Sequence, residues 1–358
     1  MAVLTSASAG RDEQVRRLDA LASEALRAFG VPDARPELLV HTVSSTFRVR
    51  SGRGDFALRL LRPAVCDRDE IRSEQIWLES LRRGAGLEVP EPIQAESGAW
   101  IVEVGSQRAG EVRLAALFGW VDGHFLSDEL TPELYGRVGD FMARLHRHGE
   151  TFTPPPGFTR PKYDLDDFAS KVPEPFGAGL FTPRHRLLLR EAAGLIEEQT
   201  RGLGRGPDVY GLIHSDLQQR NFLFHDGQVR AIDFADGGWG YHLYDVAASV
   251  VRLTDRDDYP ALRDAFLQGY ARHRPLPGDP EAHLEAFLAA RGVFVVSWIA
   301  GHWDNPRIRD YGHEIVPYIL SQVRRYLDRR GQAVGRRGLS TLSTVAFLRH
   351  LQERDVEL

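Results

Sequence analysis

The chain has 358 residues, 42% of them hydrophobic and 27% charged, too long for one small core and ordinary enough in makeup to predict one or two packed units. A formal charge of -5, from 45 basic and 50 acidic residues, gives no field that would gather nucleic acid or an anionic membrane, so neither is an expected partner. The single cysteine, Cys66, excludes an intramolecular disulfide, and Met1 to Ala9 lack the basic start and apolar stretch of a signal peptide, so a reducing cytoplasm is the expected location. The longest strongly apolar run, Val293 to Ala300 with Ser297 inside it, reads as much shorter than a bilayer crossing, and a soluble protein is expected. Of the basic residues only Lys162 and Lys171 are lysines, so a site that usually employs lysine must here employ arginine.

In chain order, Val15, Leu18, Ala22, Ala25, Leu26 and Phe29 recur at helical spacing among arginines and acids, which predicts an amphipathic helix over 11–29. From Leu38 the pattern changes to alternation, with Phe47 and Val49, then Ser51-Gly52-Arg53-Gly54, then Phe56, Leu58 and Leu60. Two strands joined by a glycine-containing turn fit it, with Pro63 ending the second. Ile71, Glu74, Trp77, Leu78 and Leu81 predict a helix that stops at Gly84 and Gly86. Short apolar runs at Trp100 to Val104 and Arg113 to Val121 complete a small, mostly antiparallel sheet with one helix. Beyond Gly123 the stripes Leu134, Val138, Phe141, Met142, Leu145 and Leu187, Leu188, Leu195, Ile196 predict a helical domain. Between them, residues 150–185 are rich in proline, glycine and aromatics, too apolar for a linker, and are expected to be packed.

The segment from Gly211 to Asp236 carries the chemistry. Phe222 to Phe224, Asp226-Gly227 and Val229 to Ile232 predict a short hairpin with Asn221 at its start and Asp233 at its end, while Asp216 sits on the loop leading in. Phosphoryl transfer from a nucleotide needs an acceptor hydroxyl held in line by a carboxylate, and magnesium held by hard oxygen ligands against the phosphates. Asp216 suits the first demand; Asn221 and Asp233 suit the second. Taken singly, each reads equally well as a loop cap or a turn residue.

Together, His214-x-Asp216, Asn221 five residues on, the hairpin and Asp233-Phe234 resemble the catalytic and metal loops of the aminoglycoside phosphotransferase and choline kinase family, a small-molecule branch of the protein-kinase fold. The resemblance runs from Leu38 to Leu327. Arg59, on the Phe56 to Leu60 strand, lies where most of the larger kinase group has a phosphate-contacting lysine, and Glu74 lies where its ion-pair partner is found. Leu117 to Gly123, with Trp120 and Val121, resembles the hinge that binds adenine through backbone groups. Met142 to His146 resembles the helix before the catalytic loop, and Tyr244-Asp245 the stretch after the metal aspartate. Ser44-Ser45-Thr46 stands in place of a GxGxxG loop and could offer phosphates backbone and hydroxyl donors. His214 and Asp245 are implied to brace the catalytic loop.

The resemblance implies an α+β, protein-kinase-like two-lobed fold: an N-terminal helical extension over 1–35, a nucleotide-binding N-lobe over 36–118 with a small antiparallel sheet, and a larger, mostly helical C-lobe over 119–358. It implies an ATP-dependent kinase, with GTP not distinguished, using Mg2+ to phosphorylate a hydroxyl of a small molecule: an amino alcohol, a sugar or an aminoglycoside. A protein Ser/Thr kinase of the stress-kinase type is the alternative, weakened because Asp245 comes only twelve positions after Asp233 and no Ala-Pro-Glu follows. A catalytically silent nucleotide-binding module is disfavoured by the intact Asp216, Asn221 and Asp233. Acceptor-side candidates are Asp236, also a secondary metal or water contact, and Trp239, His302, Trp303 and Asp304. Trp298 is expected in the core, and His302 and Asp304 exposed. Asp255, Asp257 and Asp258 are offset by Arg252 and Arg256 and do not form the acid cluster a polycationic antibiotic would require. Oligomeric state is left open.

Overall fold

The computed structural model describes residues 2–62, 66–106, 111–126, 129–276 and 280–337; Pro63 lies outside the described residues. Helix α1 (Ala2–Ala28) is followed by β1 (Arg35–His41), β2 (Ser45–Ser51), β3 (Gly54–Leu61), α2 (Arg68–Ser80), β4 (Pro92–Ile93), β5 (Val102–Ser106) and β6 (Glu111–Gly119). The six strands form one sheet in the order β1-β2-β3-β6-β4, with β5 also on β6, and every pairing is antiparallel. One strand more than expected precedes the Gly52-Arg53 turn. The physical reason is that β1 alternates poorly, leaving Leu39 and Val40 about half exposed and carrying a bulge between Leu38 and Val40.

Alternation gives the sheet two unlike faces. Phe47, Val49, Leu58, Leu60, Ala115 and Leu117 point to one side and are buried beneath Leu18, Ala22, Ala25 and Leu26 of α1 and Phe29 just after it. The opposite face carries Thr46 and Arg48 of β2, Ala57 and Arg59 of β3, and Ala116 and Phe118 of β6, which the register sets side by side. The N-terminal helix therefore covers the back of the sheet, and the front is left for chemistry.

The chain then forms α3 (Pro132–Thr151), β7 (Lys162–Tyr163), α4 (Pro183–Thr200), β8 (Tyr210–Ile213), β9 (Phe222–His225), β10 (Gln228–Ala231), β11 (Gly238–Tyr241), α5 (His242–Val250), α6 (Tyr259–Ala271), α7 (Pro280–Gly301) and α8 (Pro306–Arg337). The β9-β10 hairpin is the one the sequence predicts. Thr131 caps α3 by accepting from the Leu134 amide, and Pro132 fills the first helical position. α3 and α6 approach so closely that a Cβ on Gly139 would run into the Phe266 carbonyl, which is why glycine stands there.

Contacts divide the chain into two compact units: residues 1–164 with 205–278, and 165–204 with 279–358. The second contains α4, α7 and α8 packed on one another, with a 3-10 turn at Phe168–Lys171 whose Lys171 carbonyl accepts from Ser297 Oγ at 2.8 Å. Two expectations need correction here. The apolar stretch of α7 is longer than the sequence reading allowed, because alanines and glycines extend it: His283–Gly301 is 19 residues, long and apolar enough to cross a membrane. Within the unit that helix buries Phe287, Ala290, Val293, Val296 and Ile299. Trp298 is 40% exposed, not core, since a helix apolar on all sides gives no period from which to read its buried face.

Candidate active site

Strand β8 delivers the catalytic loop, and Asp245 at the start of α5 fixes it. Its Oδ2 accepts from the His214 amide at 2.9 Å and its Oδ1 from the Ser215 amide at 2.8 Å. Asp245 is fully buried and is held from behind by His146 of α3, whose Nε2 lies 2.9 Å from Oδ2 and whose Nδ1 lies 2.7 Å from the Tyr270 hydroxyl. Burial, then the Arg274 charge, hold the His146 pKa well below the ordinary histidine value, so the ring is neutral and donates Nε2–H to Asp245. His214 Nε2 reaches the Ile232 carbonyl at 3.0 Å, tying the catalytic loop to the segment that leads from β10 to Asp233. His214 and Asp245 thus brace the loop, as the resemblance implies.

Ser215 is forced to φ 67° at the turn before Asp216, and Asp233 to φ 62° two residues beyond the end of β10. Such left-handed backbone in non-glycine residues is held only when the surroundings over-determine it, and it concentrates at functional sites. Asn221 Nδ2 donates to the Asp216 backbone carbonyl at 2.8 Å and to its carboxylate at 2.9 Å, and Gln218 Nε2 lies 3.1 and 3.0 Å from the two carboxylate oxygens. With its amide nitrogen committed to Asp216, Asn221 has Oδ1 as the atom to offer a cation.

On the front face of the sheet, Arg59 Nη2 donates to Glu74 Oε2 in a short charge-assisted bond, with side-chain exposures of 11% and 4%. The guanidinium lies 5.2 Å from the Phe118 ring centroid. Desolvation opposes its charge, but Glu74 and then Asp233 outweigh that and raise its pKa above the ordinary arginine value. Solvent reaches Asp233, but the protein atoms crowded around its carboxyl desolvate it and raise its pKa; Arg59 opposes this, and the like charges of Asp216 and Glu74 push it further up. Three carboxylates therefore share a small volume with one guanidinium. An excess of hard anionic oxygen, with Asp233 exposed among them, fits a divalent cation held by one carboxylate, an amide oxygen and nucleotide phosphates.

The remaining candidates sort unevenly. Ser45 needs correction: it points to the α1 side, is 2% exposed, and its Oγ lies 2.8 Å from His41 Nδ1, so its hydroxyl is not on the front face. Thr46, opposite Arg59 in the register, is. The alternation of Phe47 and Val49 carried that information. Ser44 sits in the turn, its carbonyl accepting from the Thr42 amide. The Trp120 amide is spent on the Asp55 carbonyl at 3.0 Å and is not free to meet a nucleotide base. Arg48 stacks over the Trp120 ring at 4.4 Å while pairing with Asp55 at 2.7 Å, which shapes the rim of this front face. Asp236 is exposed, and Trp239 is half-buried in β11. His302, Trp303 and Asp304 belong to the second unit. There Trp303 packs edge-on against Phe176 at 5.0 Å, Asp304 is exposed, and His302, half-buried instead of exposed, turns Nδ1 back to the Trp298 carbonyl at 2.8 Å. Arg256 holds Asp258 through two nitrogens at 2.8 and 2.9 Å.

Sequence reasoning missed Arg160. Almost completely buried, it donates to four backbone carbonyls around the Asp233 loop and α2, and an arginine among 43 in an irregular segment gives no periodic signal.

A carboxylate beside an asparagine on a braced loop, a second carboxylate on a strained turn, and a sheet-borne cation paired to a helix define a kinase of the protein-kinase-like fold that acts on small molecules. A sequence model of the Phosphotransferase enzyme family matches residues 36–284, and the chain belongs to that family. It is 29% identical over 289 residues to a homoserine kinase of Gluconobacter oxydans (strain 621H), covering 76% of this chain and 85% of that one. The solved structure of a microcompartment-associated aminopropanol kinase is 28% identical with a TM-score of 0.73, covering 87% of this chain and 98% of that one. An amicoumacin kinase solved with AMP-PNP, Ca2+ and its ligand shares the fold at 16% identity and a TM-score of 0.66, over 80% of this chain and 87% of that one.

Proposed function

We propose that this chain moves the γ-phosphoryl group of ATP, with Mg2+, to the hydroxyl of a small amino alcohol. The observation that carries the reading is the pairing of Asp216 with Asn221 on a loop clamped by Asp245, beside an exposed Asp233 that feels the Arg59 charge. In this reading Asp216 orients the acceptor hydroxyl and takes its proton as the oxygen attacks. Asn221 and Asp233 hold the cation, which neutralises the β- and γ-phosphate charge when bound. Arg59 grips phosphate oxygens with its planar fork, Glu74 fixes the fork's direction, and Thr46 and Ser44 line the turn above it. The base lies along the Trp120 and Val121 backbone. Asp236, in the turn that follows Asp233, and Trp239, on β11, are the side chains assigned to acceptor choice.

Two considerations favour an amino alcohol. The relatives named as homoserine and aminopropanol kinases cover most of the chain. Asp258, which a polycationic antibiotic would need, is instead spent on Arg256. A protein acceptor is disfavoured because the residues from Asp233 to Asp245 fold into β11 and the first turn of α5, leaving no peptide platform of the protein-kinase kind. We assign the enzyme to the cytoplasm, where ATP and reduced thiols coexist. The test is acceptor-dependent ADP release across aminopropanol, homoserine, choline, an aminoglycoside and casein, with the phosphate ester identified by mass spectrometry. Release with an amino alcohol is expected; release with casein alone would overturn the acceptor, and retained ATP binding without release for any acceptor would overturn the activity.

A further inference from the structure

Residues 158–163 cross the first unit as an irregular strap, and they touch each of the three elements that present Glu74, Asp233 and Asp216. On α2, the Thr159 amide donates to Ser73 Oγ at 2.9 Å, one residue before Glu74. On β11, which follows the Asp233 loop, the Trp239 amide donates to the Pro161 carbonyl at 2.8 Å, and Lys162 and Tyr163 pair with it as β7. At the catalytic loop, the Tyr163 hydroxyl donates to the Asp236 carbonyl at 2.7 Å, and Ser215 Oγ lies 2.8 Å from that carbonyl and 3.2 Å from the hydroxyl. At the centre sits Arg160, whose Nε donates to the Gly237 carbonyl at 2.6 Å, Nη2 to those of Phe234 and Ala235 at 2.8 and 2.7 Å, and Nη1 to that of Glu70 at 2.9 Å.

A guanidinium buried this deeply is costly, and here every hydrogen bond it makes among the described residues goes to a backbone carbonyl. Three of those carbonyls follow Asp233 within four residues, and the fourth lies one helical turn before Glu74. Only a planar fork can reach both groups at once; a single ammonium cannot. The left-handed turn at Asp233 needs an outside constraint, and Arg160 occupies the carbonyls immediately after it.

We propose that Arg160 is a positioning residue that locks the Asp233 loop to the Glu74 helix and so sets the affinity of the metal site. The inference rests on the reading of Asp233 as a metal ligand. Residues behind a metal ligand typically change metal affinity by 10- to 100-fold when altered. A residue that served only the fold would change stability and leave metal affinity alone.

The experiment is calorimetry of ATP binding over a magnesium series, and in EDTA, for wild type, Arg160→Lys, Tyr163→Phe and Asp233→Asn. Hydrogen exchange of the 233–239 segment without metal accompanies it. Arg160→Lys is expected to weaken apparent magnesium affinity by about 10-fold or more, leave ATP binding in EDTA unchanged and speed exchange in 233–239. Should Arg160→Lys not fold, Tyr163→Phe keeps the ring stacked on Tyr244 but loses the Asp236 contact, and is expected to weaken magnesium affinity in the same direction by a smaller factor. If Asp233→Asn loses magnesium dependence while folded Arg160→Lys and Tyr163→Phe keep wild-type affinity, the inference fails and the proposed function stands. If Asp233→Asn keeps wild-type magnesium dependence, both fall together.

Discussion

Replacing Arg59 by methionine and Glu74 by leucine, singly and together, measures how far the two depend on each other. The pair is nearly solvent-free, with side-chain exposures of 11% and 4%, and Arg59 Nε is buried with no hydrogen-bond partner among the described residues. Removing one member of such a pair strands the other charge, a loss of about 3–5 kcal/mol. Arg59 has a second carboxylate within reach of its field in Asp233, which favours the lower end, about 3 kcal/mol for Glu74→Leu. Arg59→Met leaves Glu74 buried beside Asp233, so a similar cost of about 3 kcal/mol applies. The double replacement strands neither charge, and apolar groups of similar size recover packing against Phe118, so it should cost no more than one single replacement. The coupling is then about 3 kcal/mol, at the upper end for residues in contact. Denaturant unfolding of the four proteins, followed by circular dichroism, reads this directly. Additivity within about 0.5 kcal/mol would show that the pair is an incidental contact. The same four proteins report on function: every variant lacking Arg59 should raise the KM for ATP, and Arg59→Lys should recover part of it by keeping the charge without the fork.

Three further outcomes follow from the site. Asp216→Asn keeps shape and removes the charge, so turnover should fall by about 10²- to 10⁴-fold with ATP binding retained; full acceptor-dependent turnover would refute the base. Asp233→Ala should abolish the magnesium dependence of ATP binding and Asn221→Ala weaken it, because a carboxylate neutralises a dication and an amide does not; calorimetry with the roles reversed would move the metal. The raised pKa of Asp233 means its carboxylate is lost on acidification earlier than an ordinary aspartate, so magnesium affinity should be full above that pKa and fade as pH falls through it. Asp216→Asn removes one like charge and should shift this acid limb to lower pH, and an unmoved limb would show that the two carboxylates do not interact.

Local pattern was enough to place the candidate residues on their elements. The spacing of Asp216, Asn221 and Asp233 around a predictable hairpin, the alternation that set Arg59 opposite Phe56, Leu58 and Leu60, and the helical stripe holding Glu74 are all short-range signals, and the structure makes each of those elements. Alternation also held the answer for Ser45 and Thr46, since a period of two assigns neighbours to opposite faces. Tertiary packing decided the rest. Periodicity could not orient α7, apolar on every side, so the exposure of Trp298 depends on which neighbours α4 and α8 provide. His146, inside a motif legible as a helix, acquires its role only because α3 lies beside Asp245, 99 residues further along the chain. Arg160 is the extreme case: its four partners are carbonyls, which every residue carries, brought together from Glu70 and from Phe234 to Gly237. A side chain that recognises backbone leaves no complementary residue type in the sequence, so only the folded chain reveals it.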